Sequence, residues 1–200
     1  MIFDELNLPR DNGSTDWQDS ARLAGIMVLF QYPTNKDLDL SEYVDDTGKY
    51  IRHPKEYKYN FSRDQAVCLM AGLWFNGLPY LVDKNAITGK DFLSPSVMGH
   101  IRRCQNKKAN WFQNLWLKLD IYYNAYVDPL SEPNQLLCML MVAGPEYVKL
   151  WTKLNTKWRQ AITYYWCGWR GESGLAVHMI NRIERIISDK GQEPEQLALF

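Results

Sequence analysis

Pro33, Asn76-Gly77, Ser94-Pro95, Asp128-Pro129, Gly144-Pro145 and the pair Gly168 and Gly171 divide this 200-residue chain into apolar runs with helical spacing. Several of these runs are separated by only a few residues, and helices joined by short loops pack as antiparallel neighbours. The expected fold is therefore mostly α: a single domain of stacked antiparallel helical hairpins, with a partial α/α toroid as one arrangement and at most a short β-hairpin. Residues 1–188 form this helical domain. Residues 189–200 form a polar tail that ends in an apolar pentapeptide.

The first helix is expected to start near Asp16, capped by Ser14 or Thr15, and to end at Pro33. Asp46-Thr47-Gly48 reads as a turn between Tyr43-Val44 and Tyr50-Ile51, the one hairpin signal. Ser62-Arg63-Asp64-Gln65 has the spacing of a capping box, in which Ser62 and Gln65 bond each other's backbone N–H. The helix that follows stops at Asn76-Gly77. Ser94-Pro95 opens the next, with proline at the first helical position. Asn110 to Val127 reads as a long amphipathic helix rich in Trp and Tyr, and Ser131-Glu132-Pro133 starts a more buried one. Glu146 to Lys153, Thr156 to Trp166 and Ser173 to Ile187 complete the set.

Composition narrows what such a fold does. The formal net charge is zero, so nothing draws the chain as a whole to nucleic acid or an anionic membrane. Arg102, Arg103, Lys107 and Lys108 read as a solvated helix end. Cys68, Cys104, Cys138 and Cys167 form no CxxC pair, and Cys68 and Cys138 sit in apolar runs where cysteine behaves as a small hydrophobe. No metal or other cofactor is expected. Met1 to Arg10 lacks the apolar run of a signal peptide, and Leu136 to Ala143 is too short to span a bilayer. The expected location is the cytoplasm, or a particle assembled there. The 8 Trp and 12 Tyr predict a core of large flat rings that need polar partners for their N–H and O–H groups. Trp151, Trp158, Trp166 and Trp169 fit such a core, or a platform that stacks sugars or bases.

Three polar stretches stand out. They are Asp19-Ser20-Ala21-Arg22, then Arg52-His53-Pro54 after Gly48, then Ser62-Arg63-Asp64-Gln65. Together with the Tyr- and Trp-rich segment from Trp158, they resemble an uncharacterised family of bacteriophage-encoded helical proteins. The resemblance spans roughly residues 16–187 and departs at Ala24-Gly25, where the family pattern has a more polar pair. It implies a phage origin and a helical-hairpin fold, with no assigned activity.

Asp19, Arg52, His53 and Asp64 are the catalytic candidates, and Arg22, Arg63 and Gln65 the ligand-binding ones. Two carboxylates flanked by arginine suit a hydrolase-like or anion-binding cavity, and His53 is a candidate acid or base near neutral pH. The plainer reading of the same residues is a structural network of ion pairs, arginine paired with carboxylate. Glu172 and His178 lie six apart and so fall on different helix faces.

The last five residues, Gln196-Leu197-Ala198-Leu199-Phe200, resemble the bacterial sliding-clamp-binding motif. That resemblance makes Gln196, Leu197, Leu199 and Phe200 partner-binding candidates, with the leucine and phenylalanine entering an apolar pocket. Three functions follow as expectations. The first is a phage structural or accessory protein, for instance a virion component, acting through protein partners or self-association. The others are a replication adaptor docking on the clamp, and a hydrolase-like enzyme.

Overall fold

The computed structural model describes residues 1–55, 61–87 and 92–189. The tail residues Gln196, Leu197, Leu199 and Phe200 lie outside the described residues.

The fold is mostly helical, with a two-stranded antiparallel hairpin at its start. Strands β1 (Ile2–Phe3) and β2 (Pro9–Arg10) pair Ile2 with Arg10 and Phe3 with Pro9. Eight α-helices follow among the described residues: α1 (Ser20–Leu29), α2 (Arg63–Phe75), α3 (Pro95–Cys104), α4 (Trp111–Tyr126), α5 (Asn134–Ala143), α6 (Pro145–Leu154), α7 (Trp158–Thr163) and α8 (Ser173–Ser188). A π-helical turn, Tyr164–Trp169, continues α7. Among the described residues, no helix is long and apolar enough to cross a membrane.

Sequential pairs pack on each other: α1 on α2, α3 on α4, α5 on α6, and α7 on α8. Helix α2 also touches α3 and α5, and every residue from Gln65 to Leu73 is buried. A helix that is apolar on all sides belongs in the middle of a core. The closest approach is between α1 and α2. A Cβ on Gly25 would stand 2.2 Å from the Cys68 carbonyl oxygen, and one on Gly72 would stand 2.7 Å from the Gly25 Cα. Only glycine admits backbone contact this tight. The small Gly25 is explained by this crossing.

The helix ends follow local rules. Three helices close with the C″ N–H bonded back to the C3 carbonyl: Tyr32 to Met27, Leu78 to Leu73, and Lys107 to Arg102. The residues turned to positive φ there are Gln31, Gly77 and Asn106. Ser94 caps α3 through Val97 N–H, with Pro95 first in the helix. Val44 bridges Tyr50 across the expected turn, where Gly48 has φ 79°. Buried Trp151 and Trp166 donate to Asn124 and Asn134, and half-exposed Trp74 donates to Asn106.

Four local expectations need correction. Helix α1 starts at Ser20 and not near Asp16, because Asp16 folds back to accept from Gln18 N–H and Ser14 donates to Asp11. The Ser62–Gln65 capping box does not form. The Gln65 amide instead reaches α1, donating to the Gln18 carbonyl at 2.7 Å and to Asp19 at 3.2 Å. A full capping box occurs at Asn110 and Gln113, opening α4. Helix α5 starts at Asn134, since Ser131 and Asp128 close a turn before it. Gly168 does not end its helix: the π turn carries the chain through it to Trp169, and Gly171, at φ 67°, makes the break.

Candidate functional site

Helix α1 opens with Asp19 as its cap residue, and Arg22 sits one turn later on the same face. The Arg22 guanidinium contacts three groups: Asp19 at 3.3 Å, Glu132 at 2.9 Å and the Tyr165 hydroxyl at 2.7 Å. Arg170, just beyond the π turn, mirrors it. It meets Asp19 at 2.7 Å, donates to the Tyr165 hydroxyl at 3.2 Å and to Ser14 at 3.3 Å, and lies 3.6 Å from Asp11. Its guanidinium also lies over the Tyr165 and Trp169 rings. Gln65 enters from α2, and Asn134 donates to Glu132. The network thus ties α1, α2, the start of α5, the π turn and the N-terminal loop together.

Its electrostatics follow from these contacts. Burial would raise the Asp19 carboxyl, but Arg22 and Arg170 beside it outweigh burial and hold it below the usual carboxylate range. Asp19 is therefore ionised at neutral pH and accepts hydrogen bonds. Burial pushes the Tyr165 hydroxyl up to about 12, with both arginines opposing, so it stays protonated. Three buried atoms here, Arg22 Nε, Gln65 Oε1 and Asp11 Oδ1, have no hydrogen-bond partner among the described residues. Outside the network, Tyr164, Gly168 and Trp169 line an open hollow of about 440 Å³.

The seven sequence candidates divide among three places. Asp19, Arg22 and Gln65 meet in the network, and Arg52 borders it by donating to Gln18 at 3.2 Å. His53 is elsewhere, fully buried, with Nε2 3.1 Å from Asp4 and its ring stacked 4.5 Å from Trp17. The Lys55 backbone N–H donates to its Nδ1, which leaves the ring proton on Nε2 facing Asp4. Burial lowers the imidazole below its ordinary value, against the pull of Asp4. His53 thus clasps the first loop to the Arg-His-Pro loop. Arg63 and Asp64 form a half-exposed pair, and Arg63 also donates to the Phe92 carbonyl. Asp19, Arg52, His53 and Asp64 thus bond to different partners: Asp19 to Arg22 and Arg170, Arg52 to Gln18, His53 to Asp4 and Asp64 to Arg63.

Glu132, Tyr165, Arg170 and Asp11 complete the network and were not singled out from sequence. Glu132 read only as part of a helix start, and Arg170 only as part of a break. The tryptophan platform is also corrected. Trp151, Trp158 and Trp166 are core residues, and only Trp169 is exposed. Glu172 and His178 have separate partners, as their spacing predicts: Glu172 accepts from Asn12 N–H, and His178 bonds the Phe30 carbonyl.

A second region is open where the network is closed. Helix α4 is 16 residues long and turns Leu117, Ile121, Asn124 and Ala125 inward. Its other face exposes Trp111, Phe112, Leu115, Trp116, Leu119, Tyr122, Tyr123 and Tyr126, with Trp111 at 76% and Tyr126 at 66%. At about 100° per residue these eight fall within an arc of about 140°. The only charged residues of α4, Lys118 and Asp120, flank that arc on its two sides. Exposed apolar patches on a monomer rarely exceed about 300–600 Å².

Comparison with protein-family models, with curated proteins and with solved structures finds no match for this chain.

Proposed function

We propose that this chain is a phage-associated structural or accessory protein that acts through protein–protein contacts, in the host cytoplasm or as part of the virion. One observation carries the contact reading: the outward face of α4 presents eight large apolar side chains in one arc, with its charged residues Lys118 and Asp120 only at the edges. Leaving such a stripe in water is unfavourable, and covering it with a partner recovers that free energy. The phage association rests on the resemblance of the three polar stretches. The Asp19–Arg22–Glu132–Arg170 network supports the reading from the other side, since its ion pairs tie helices and loops of the scaffold together.

A photo-crosslinking residue placed at Tyr123, in the producing cell and in purified particles, is expected to give discrete higher-mass products. The same residue at Lys36, on an exposed loop, is expected to give none. Equal or absent cross-linking at both positions overturns the reading.

A second reading has its own support in sequence. Gln196-Leu197-Ala198-Leu199-Phe200 fits docking on a bacterial sliding clamp. Titration of purified clamp with the full chain and with its Leu199→Ala, Phe200→Ala variant tests it. Binding that only the unaltered chain shows supports it, and equal binding or none discards it.

A further inference from the structure

We infer that the partner of α4 is a second copy of this chain, and that two α4 helices pair antiparallel about a two-fold axis at Leu119. This rests on the reading of α4 as a contact surface and names what covers it.

The first argument is area. The eight outward side chains of α4 are each between 36% and 76% exposed and adjoin one another along the helix, a patch of the kind that a standard interface, roughly 800 Å² per partner, covers. A helix of 16 residues is about 24 Å long, enough to make one continuous contact rather than scattered ones.

The second argument is symmetry. A two-fold interface uses the same patch on both copies, so the patch must complement itself. Seven of the eight exposed positions, all but Trp111 at the helix start, are symmetric about Leu119. Rotation about an axis there sets Phe112 against Tyr126, Trp116 against Tyr122, and Leu115 against Tyr123, all of them outward-facing. Every pair joins an aromatic ring to another ring or to a leucine, and Leu119 meets its own copy. Antiparallel pairing also opposes the two helix dipoles favourably.

The third argument is charge. The chain has zero formal net charge, so two copies meet without general repulsion. Lys118, at one margin of the arc, is exposed and stays in water when the centre is covered, and Asp120, at the other, is half-buried and already accepts from the Ser96 hydroxyl. A patch without charge offers no handle for selecting a charged partner. It has the apolar, aromatic character of interfaces between identical chains.

Sedimentation equilibrium of the full chain tests the pairing. The expected mass is twice the chain's 23.4 kDa at micromolar concentration. Leu119→Glu sets two carboxylates against each other on the axis and is expected to weaken association roughly a hundredfold or more. Leu119 is half-exposed in one copy, so the variant keeps its helical circular dichroism. Register is read separately. Leu119→Cys is expected to cross-link to itself under mild oxidation, while Trp111→Cys, far from the axis, is not.

A monomeric full chain, or a dimer indifferent to Leu119→Glu, overturns the proposal. Equal cross-linking at both positions overturns the antiparallel register. If the chain is monomeric but Tyr123 still cross-links in the cell to an unlike protein, the second copy is excluded and the contact reading stands.

Discussion

Where α1 crosses α2, two glycines let backbone touch backbone. Along α4, aromatic rings stand out into solvent. Both regions are helix faces rich in apolar residues, and both are free of charge at their centres. They differ in what the residues are shaped to meet. Small residues at a crossing specify a partner already present at a fixed distance. The large rings on the outer face touch one another along the helix but leave a third or more of their surface in water, which only another surface can cover. The difference separates a contact that holds the fold from one that the fold holds out. Substitutions in the first region should therefore cost stability, and substitutions in the second should not.

The largest effect is expected at the crossing itself. Gly25→Ala places a methyl group 2.2 Å from the Cys68 carbonyl oxygen and 2.6 Å from its carbon, so backbone must move. Overpacking of this kind costs about 3 kcal/mol or more when no side chain can give way. A urea midpoint unchanged from the unaltered chain would mean that the helices part there without cost. The contrast with α4 would then lose its basis.

Next comes the network that closes the same side of the molecule. Arg22→Ala removes the cation between Asp19 and Glu132. Breaking a buried pair costs about 3–5 kcal/mol, and the partial exposure of both carboxylates reduces this to about 2–3 kcal/mol. The same variant should move Asp19 back up toward its ordinary value, since Arg22 is one of the two cations whose charge lowers it. Carbon-detected titration of the Asp19 carboxyl would show this directly. No change in stability or titration would mean that Arg22 is not a structural tie.

The third effect depends on pH and comes from the inner face of α3. His100 is fully buried against α2, with Nε2 3.0 Å from the Val67 carbonyl oxygen. Burial pushes its imidazole down to about 4. Because this value lies below the roughly 6.5 of the unfolded chain, unfolded molecules take the proton first. The histidine's contribution is complete above about pH 6.5 and is lost as pH falls from there toward 4. Between pH 7 and 5 it should fall by about 2 kcal/mol. His100→Gln should lack this part of the slope, as read by denaturation at the two pH values. Identical slopes would count against a neutral buried ring.

The two regions were also unequally legible in sequence. The helices were visible because Asn76-Gly77, Ser94-Pro95 and Gly144-Pro145 act through local backbone chemistry that no tertiary contact overrides. The Trp- and Tyr-rich helix from Asn110 was visible as well, although periodicity alone does not say which aromatic faces outward. What escaped was set by long-range competition. Ser62 and Gln65 have capping-box spacing, yet Asp19 and the Gln18 carbonyl win the Gln65 amide across the α1–α2 contact. The site was half legible for the same reason. Asp19, Arg22 and Gln65 were named, but Glu132, Tyr165 and Arg170 arrive from more than a hundred residues away. The π turn that delivers the last two has no signature in Tyr-Tyr-Trp-Cys-Gly-Trp that distinguishes it from α-helix.

The smallest expected effect is the most discriminating one. Leu119→Lys on the outer face of α4 removes a large apolar side chain, as severe a change on paper as any above. In one copy of the chain, though, Leu119 is 49% exposed and borders solvent. A lysine there lays its stem along the helix and keeps its ammonium in water. Denaturation at concentrations low enough to keep copies apart should shift by less than about 0.5 kcal/mol. At high concentration the unaltered chain should gain stability by mass action while the variant does not. A loss of 2 kcal/mol or more in the dilute variant would place Leu119 in the chain's own core energetics, and the distinction between the two regions would fail at the point where it was sharpest.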